Sequence, residues 1–518
     1  MAGPCSVVCP PACAPTGRGP CTGQSRNRGH GRGDGGTGEH GPATIWRTLV
    51  SIRGAETMTA DVVVIGGGIS GLATAYDLKQ RGHRVVVLER QASPGGNAVS
   101  ERRSGFLMEH GPSTMNAHVP VANEISRGLG LDDERCDLGD GIRQRYLVSG
   151  GTLAAIPMGP FGLLTAGYLS PLARIRMLAD FFLPHGKDGE EETVMDFCSR
   201  RFGREFAERV IDPLVAGIYA GRASELSVLA IFPKLVALEE KYGSVSLGMM
   251  HRRREGGKMP GSRLFSWRDG IATLPAALAQ RLGTTIRTGV TVRRISPSHN
   301  GFDIHVGNKG RLQAKSVVVA TQAHVTAQLI SEIDPEGAAA ARQIKAPPLA
   351  VVFLGFPRRC VDHPLDGLGF LTSEAENRNI IGAQFCSTMF PCRAPAGHVA
   401  VSAYLGGTRA PDLARLPAPE LIDLARSEFR DLIGAVGNPT VAQVRHWPLG
   451  LPQYGSGHQA LIEGLGTTDR RKSGLFLTGN YFAGPSVASC LSVAQETALA
   501  AHEYLNRAQG LQFQQTVS

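Results

Sequence analysis

The strongest constraint on this chain is the stretch DVVVIGGGISGLATAYDLKQRGHRVVVLER, residues 61–90. A Val-rich run, a glycine cluster, an amphipathic segment and a second Val-rich run fit strand, turn, helix and strand, the βαβ unit of a parallel sheet. The glycines stand at G-x-G-x-x-G spacing. Gly66 permits a tight turn, Gly68 lets the backbone approach a pyrophosphate, and Gly71 lets helix and strand pack closely. Gly67 and the helix-start amides of Ile69 and Ser70 then face the phosphates. Glu89, closing the second strand, is placed to accept hydrogen bonds from a ribose hydroxyl pair, which favours FAD or NAD over NADP; the neighbouring Arg90 makes that distinction less clean.

Composition narrows the surroundings of this unit. The chain has 518 residues and a formal net charge of +9. Six Arg against Asp34, Glu39 and Glu56 lie in the first 58 residues, so the remainder carries about +6. That excess is too small for a polybasic nucleic-acid binder, and no nucleic-acid partner is expected. No apolar run approaches the roughly 20 residues of a spanning helix. Residues 1–57, rich in Gly, Pro, Arg and Cys, are expected to be a disordered extension; Met58 as the true start and an organelle-targeting peptide are the two readings of it. Four of the ten Cys fall there, and the others form no CxxC pair. His324, His363, His398 and His458 lack metal-ligand spacing, so no metal is assigned.

Beyond the βαβ unit, SPGGNAVSERRSGFLMEHGPSTM places Gly95-Gly96 just past the second strand and leads through a strand-like segment into Gly111-Pro112-Ser113-Thr114. Here the sequence resembles the flavin-containing amine oxidase superfamily, whose second glycine pair lies against FAD; Asn97 stands where that family usually has Arg. Far downstream, GLFLTGNYFAGPSVASCLSVAQETALAAHEYL fits a strand at 475–478, a loop from Gly479 to Gly484 and a helix from about Ser486 to Leu505. Pro485 suits its first turn, and the amides around Ser486 and Val487 would stabilise negative charge on a reduced flavin. Strands at 291–295, 302–306 and 312–320 fall between, with Val292 offered to the adenine by the same resemblance. A second G-x-G-x-x-G opening a helix is lacking, so electrons are expected to pass from flavin to oxygen or a quinone, with no nicotinamide partner.

Four further segments narrow the family. Arg145-Tyr146-Leu147 with the Gly150-Gly151-Thr152-Leu153 run, RVIDPLVAGIYAGRASELSVLAIFPKLVALEEKYGSV (209–245), FPCRAPAGHVAVSAYLGG (390–407) and LPQYGSGH (451–458) resemble the oxygen-dependent protoporphyrinogen oxidase and coproporphyrinogen III oxidase family. The resemblance spans about residues 60–507. It implies an α/β fold with a Rossmann-like FAD-binding domain of the amine oxidase (GR2) type, an α+β substrate-binding domain and a helical membrane-contacting insertion. The expected division is 1–57 disordered, 58–120 with 270–325 and 440–507 for FAD, 121–269 helical, 326–439 for substrate, and 508–518 a disordered tail.

The reaction implied is a six-electron oxidation of a porphyrinogen, by hydride transfer to flavin N5. Planar positioning in a dry cavity matters there more than a side-chain base, so no catalytic side chain is named. Arg145 matches the family arginine holding a propionate, Trp447 a position near the flavin, and Phe353 and Phe356 are candidates for packing on the macrocycle. Residues 152–184, with Arg174, Arg176 and a helix start at Ser170-Pro171, offer an apolar face with cationic flanks for a lipid interface, or an inner wall of the substrate cavity. The expected location is cytoplasmic, peripheral on a membrane, with a homodimer as one possible state. Alternatives are coproporphyrinogen as substrate, a polyamine oxidase or carotenoid desaturase, and a non-catalytic member like the dissociation inhibitors of prenylated GTPases.

Overall fold

The computed structural model describes residues 58–156, 167–184, 186, 191–254, 264–308, 310–471 and 474–517. The extension 1–57 and part of the expected lipid-facing stretch, 157–166, lie outside them.

The first sheet follows from the Val-rich runs. β1 (Met58–Ile65) lies between β2 (Val85–Leu88) and β13 (Gly310–Val319), all parallel, with β10 (Ile286–Arg287) beyond β2 and β19 (Leu475–Leu477) beside β13. The antiparallel pair β11 (Val292–Ser298) and β12 (Gly301–Val306) extends it along the first half of β13. Strand alternation turns Val62 and Val64 to one face and Val63 and Ile65 to the other, and both faces are covered by helices. Each fully buried Val contributes about 1.5–3 kcal/mol. On one face lie α1 (Ile69–Gln80), residues 273–282 and the long terminal helix, residues 487–517; on the other lie residues 323–330, 335–343 and 458–471. The helix at 487–517 runs through the segment expected to be a disordered tail. Gly510 is the single strong helix breaker among those last residues, and one glycine costs a helix only about 1 kcal/mol.

The second sheet runs β18 (Val441–Trp447), β14 (Leu349–Pro357), β17 (His398–Gly406), β16 (Gly382–Gln384), β15 (Gly367–Leu371), β7 (Gln144–Ser149) and β8 (Thr152–Ile156). Two expected boundaries are corrected here. Residues 144–156, assigned to the helical part, pair with β15, and residues 441–447, assigned to the FAD part, pair with β14. In both cases long-range pairing decides, and local sequence carries no trace of it. One face is an apolar core under residues 418–433; there Ala350, Val352, Leu354 and Phe356 pack with Phe429 and Leu421.

Two small sheets, β3 (Ser100–Arg103) with β4 (Phe106–Glu109), and β5 (Met115–Asn116) and β6 (Arg135–Asp137) on either side of β9 (Leu264–Trp267), carry the chain between these layers. The helical part includes α2 (Pro171–Leu178), α3 (Val194–Phe202) and α4 (Asp212–Tyr219), and the helix at 487–517 is α5. As expected, Ser170 caps α2 by accepting the Ala173 amide, with Pro171 at the first helical position. An ion cluster holds this part together: fully buried Arg201 meets Glu239 at 2.6 Å and Asp180 at 3.4 Å, while Arg200 bridges Glu239 and Glu192.

Leu172, Ile175, Leu178 and Phe182 recur on one side of α2 and the turn after it, and all are exposed, Phe182 to 88%. Arg176, expected beside them as a lipid-facing cation, turns inward and donates to the carbonyls of Arg200 and Arg201 at the end of α3. The open carbonyls of a helix C-terminus are the better partner for it.

Candidate functional site

The glycine loop is shaped by what its neighbours leave no room for. A Cβ on Gly71 would lie 2.0 Å from the Gly66 carbonyl oxygen, and one on Gly66 would lie 2.5 Å from that of Ala320, where β13 ends beneath the loop. Gly68 is different: a Cβ there would meet only Gly96 Cα, at 3.9 Å, so its outer side is open. Gly68 caps α1 with no side-chain hydrogen bond, and no acidic residue stands in the first turn. The first-turn amides of α1 thus meet neither a side-chain cap nor an acidic residue beside an open backbone surface at Gly68, an arrangement that fits a pyrophosphate.

Glu89 borders this cradle, 9% exposed. Its carboxylate accepts the Gly67 amide at 2.6 Å and the Gln91 amide at 2.7 Å. It thus ties the glycine loop to β2, a bond the sequence reading missed, and each oxygen keeps a lone pair for a ribose hydroxyl. The Glu89 carbonyl accepts the Val290 amide, bringing the chain leading to Val292 alongside. Arg90 is exposed.

The second glycine pair docks on the first. Gly68 pairs with Gly95, the Gly95 amide donates to the Gly67 carbonyl, and Gly111 packs so closely on Asn97 that a Cβ would lie 2.1 Å from its carbonyl oxygen. Glu109, just before this loop, binds Arg393 at 2.9 Å and accepts from Ser100 and the Ile271 amide. Burial pushes its carboxyl up to about 6, with Arg393 opposing. Residues 111–114 are half-buried and meet the second sheet: Ser113 Oγ donates to Gln384, and the His110 carbonyl accepts Trp447 Nε1–H at 2.6 Å.

The C-terminal segment reaches the same place. Val487 and Ala488 share a core cluster with Leu72 and Ala73 of α1, Thr74 Oγ1 donates to the Ala494 carbonyl, and Ser70 hydrogen-bonds the Cys490 thiol. Gly479 opens the loop after β19. The expectation for Pro485 is corrected: α5 begins at Val487, capped by Ser486 Oγ accepting the Ser489 amide at 3.0 Å, so Pro485 precedes the cap. Serine satisfies an orphan amide, which proline at a first turn merely does without.

The second sheet's other face carries the remaining residues. By strand register, Arg445, Val351, Tyr404, Gly382, Leu371 and Leu147 form one row across it, with Phe353, Ser402 and Gln384 in the next. Arg145 lies on this face at its β7 end, half-buried, and Arg445 at its β18 end, about 24 Å away at ordinary strand spacing. The two phenylalanines separate. Phe353 belongs to this face, packed edge-on against Phe106 at 6.1 Å, whereas Phe356 lies on the opposite face in the core beneath residues 418–433. An odd separation in a strand puts two side chains on opposite sides, so they cannot share one macrocycle.

Sequence reading missed three groups on this face. Arg445 holds its guanidinium 4.4 Å from the Trp447 ring centre, and its buried Nε has no hydrogen-bond partner. Tyr404 is half-buried; burial, with Cys386 and Glu109 nearby, raises its pKa and keeps the phenol protonated. Gln384 is the third. Small residues of α4 and its C-cap cover the face: Ala216 and the capping Ala220 pack with Leu349, Tyr404 and Trp447, and a Cβ on Gly217 would strike Leu371 at 2.3 Å.

The family model for flavin containing amine oxidoreductases matches residues 69–500. The chain is 32% identical over 485 residues to a chloroplastic protoporphyrinogen oxidase of Oryza sativa subsp. japonica, covering 87% of this chain and 89% of that one. It is 27% identical to a coproporphyrinogen III oxidase of Bacillus subtilis, covering 86% and 98%. A solved chain from Exiguobacterium has the same fold, with a TM-score of 0.74 at 21% identity over 87% of this chain and 99% of that one. Cyclohexylamine oxidase from Brevibacterium oxydans gives 0.65 at 16%, over 86% and 99%. The glycine cradle, the Glu89 carboxylate and this match over most of the chain agree: the protein belongs to the flavin-containing amine oxidoreductase family, and its cofactor is FAD.

Proposed function

We propose that this protein oxidises protoporphyrinogen IX to protoporphyrin IX, with FAD as the immediate acceptor and oxygen, or a quinone, as the final one. The observation that carries the reading is the closed face of the second sheet, with an arginine at either end, set against the loop 110–114 of the flavin cradle. The names of the rice and Bacillus relatives support a porphyrinogen as the class of substrate.

In this reading the first-turn amides of α1 would hold the pyrophosphate, Glu89 the ribose, and Trp447 with the start of α5 the flavin ring. FAD, when bound, would supply the hydride acceptor for the bridging carbons of the macrocycle, over three two-electron turns. The chain's own residues bind and orient. Arg145 pairs with a propionate, a charge-assisted contact of about 1.5–3 kcal/mol. Arg445 is free to meet a carboxylate at the other end, while Phe353 and the neutral Tyr404 flank the ring plane. Ala216 and Gly217 of α4, with Ala220 at its end, cover the reacting face, and each turn that removes a hydride also releases one proton from the macrocycle, which passes to solvent. Neither a nucleophile nor a paired-carboxylate device is required.

Leu172, Ile175, Leu178 and Phe182 give α2 an apolar side suited to the lipid interface, and peripheral membrane contact through it belongs to the same proposal. Loss of vesicle co-sedimentation in a Leu172→Ser/Phe182→Ser variant is the expected result. For the substrate, porphyrin fluorescence is followed after adding anaerobically prepared protoporphyrinogen or coproporphyrinogen to the aerated protein. Faster appearance with protoporphyrinogen is expected; preference for coproporphyrinogen reassigns the substrate, and no fluorescence from either ends the reading.

A further inference from the structure

The segment Pro452–His458 and the segment around Tyr219 were both singled out by sequence. The first of them meets the loop between Gly479 and Gly484. Tyr454, 1% exposed, donates its hydroxyl to the Asn480 carbonyl, and His458, 3% exposed, donates Nε2–H to the Tyr481 carbonyl at 2.9 Å. Two buried side chains thus hold two consecutive carbonyls.

The same segment is gripped from the helical side. Its Tyr454 carbonyl accepts the Ser227 amide at 2.8 Å, and Gly455 forms an antiparallel bridge with Leu226. Glu191 accepts the Gly457 amide at 2.7 Å and the Ser456 hydroxyl at 3.1 Å. Gln453 Nε2 donates to the Tyr219 carbonyl at the end of α4, at 2.9 Å. The Tyr219, Tyr454 and His458 rings then meet edge-on in succession, with centroids 5.6 and 4.8 Å apart. A tyrosine serving only to fill space would leave its hydroxyl in water or unpaired; this one is spent on a backbone acceptor.

We propose that Tyr454 and His458 are positioning residues that clamp the loop 479–486 and join it to α4, the helix that seals the substrate face. Holding the oxygens of residues 480 and 481 fixes the peptide planes that lead into Gly484 and the Ser486 cap, and so aims the start of α5. One wall of the chamber and the backbone facing the flavin are thereby parts of one hydrogen-bonded unit. The flavin half of this inference rests on the placement of FAD proposed above; the clamp itself does not. Burial lowers the His458 pKa, with the Tyr481 carbonyl and Glu191 opposing, so the ring is neutral at pH 7 and the donor remains on Nε2.

The test compares Tyr454→Phe, His458→Ala and His458→Gln, the last restoring a side-chain N–H, with Tyr219→Phe as the control that keeps both donors. Hydrogen exchange on flavin-free protein should show amides 480–487 opening about tenfold faster in Tyr454→Phe and His458→Ala. His458→Gln should recover part of that protection. On flavin-loaded protein, the same two variants should bind FAD roughly five- to tenfold more weakly and shift its midpoint potential, while Tyr219→Phe does neither. Unchanged exchange in both Tyr454→Phe and His458→Ala overturns the clamp. Faster exchange with unchanged FAD affinity and potential keeps the clamp but removes its link to the flavin. Wild-type protein that takes up no FAD refutes the cofactor placement and leaves the exchange result to judge the clamp. Should Tyr454→Phe not be recovered folded, the His458 pair supplies the same comparison.

Discussion

The two large sheets are built from similar apolar strands but obey different rules. In the first, β1 is covered on both faces, so Val62–Ile65 all reach core, and a slip of one residue would exchange one apolar side chain for another. In the second, one face is core and the other is the proposed chamber, so parity along a strand decides everything. Leu354 and Phe356 stabilise the fold, while Val351 and Phe353 turn to the opposite side. A sheet buried twice is written in its local composition; a sheet buried once hides its function in its register.

The largest effects should come where neither sheet can adjust. Arg201→Ala leaves Asp180 buried without its cation and Glu239 with Arg200 alone, and should cost about 3–5 kcal/mol, read as a fall in denaturation midpoint with the helical part affected first. Phe356→Ala should cost a similar 3–5 kcal/mol by opening a cavity, with flavin absorbance retained by the folded fraction. Tyr404→Phe on the opposite face should leave the midpoint within about 0.5 kcal/mol and change only turnover. A Phe356→Ala protein of normal stability and poor turnover would reverse the assignment of faces.

Gly71→Ala should abolish FAD binding, since its Cβ would lie on the Gly66 carbonyl, whereas Gly128→Ala, with nothing within 4 Å, should be neutral or stabilising by up to about 1 kcal/mol. Equilibrium dialysis with FAD measures the first and thermal unfolding the second.

Next in size are the chamber cations. Arg145→Ala should lower kcat/KM roughly 10- to 100-fold with flavin content unchanged, and Arg445→Met by less, because its stacking on Trp447 offsets part of its need for a counter-ion. Equal losses of bound flavin in both would place them in the cofactor site.

The smallest effect belongs to the base of the first sheet. Burial raises the Asp61 carboxyl, but hydrogen bonds from Arg84 and Lys315 outweigh it and bring the pKa to about 2. A lowered acid pKa stabilises the fold above the unfolded value of 3.8 and loses that contribution as pH falls from there toward 2. Asp61→Asn should therefore cost about 1 kcal/mol at pH 7, after allowance for solvent screening, and nothing near pH 2.

This contrast also shows what the sequence could disclose. The cradle was legible because each feature is local: glycines at fixed spacing, Val runs, Glu89 one strand away. The meeting of residues 66–71 with 484–487 was legible only by resemblance, since hundreds of residues separate them. Arg445, Tyr404 and Gln384 were not, because which face of β14 looks inward depends on pairing with strands as distant as β7. Arg176 misled for a related reason. A cation beside apolar residues fits a lipid surface, until a helix end 25 residues away offers it carbonyls.

The most direct measurement mixes oxidised, FAD-loaded protein with protoporphyrinogen IX in the absence of oxygen and follows flavin absorbance. Bleaching of the flavin band in step with loss of the porphyrinogen, reversed by admitting air with porphyrin fluorescence appearing, is the expected result. A flavin band that stays fully oxidised in excess porphyrinogen would contradict a macrocycle held against the cofactor between the two sheets.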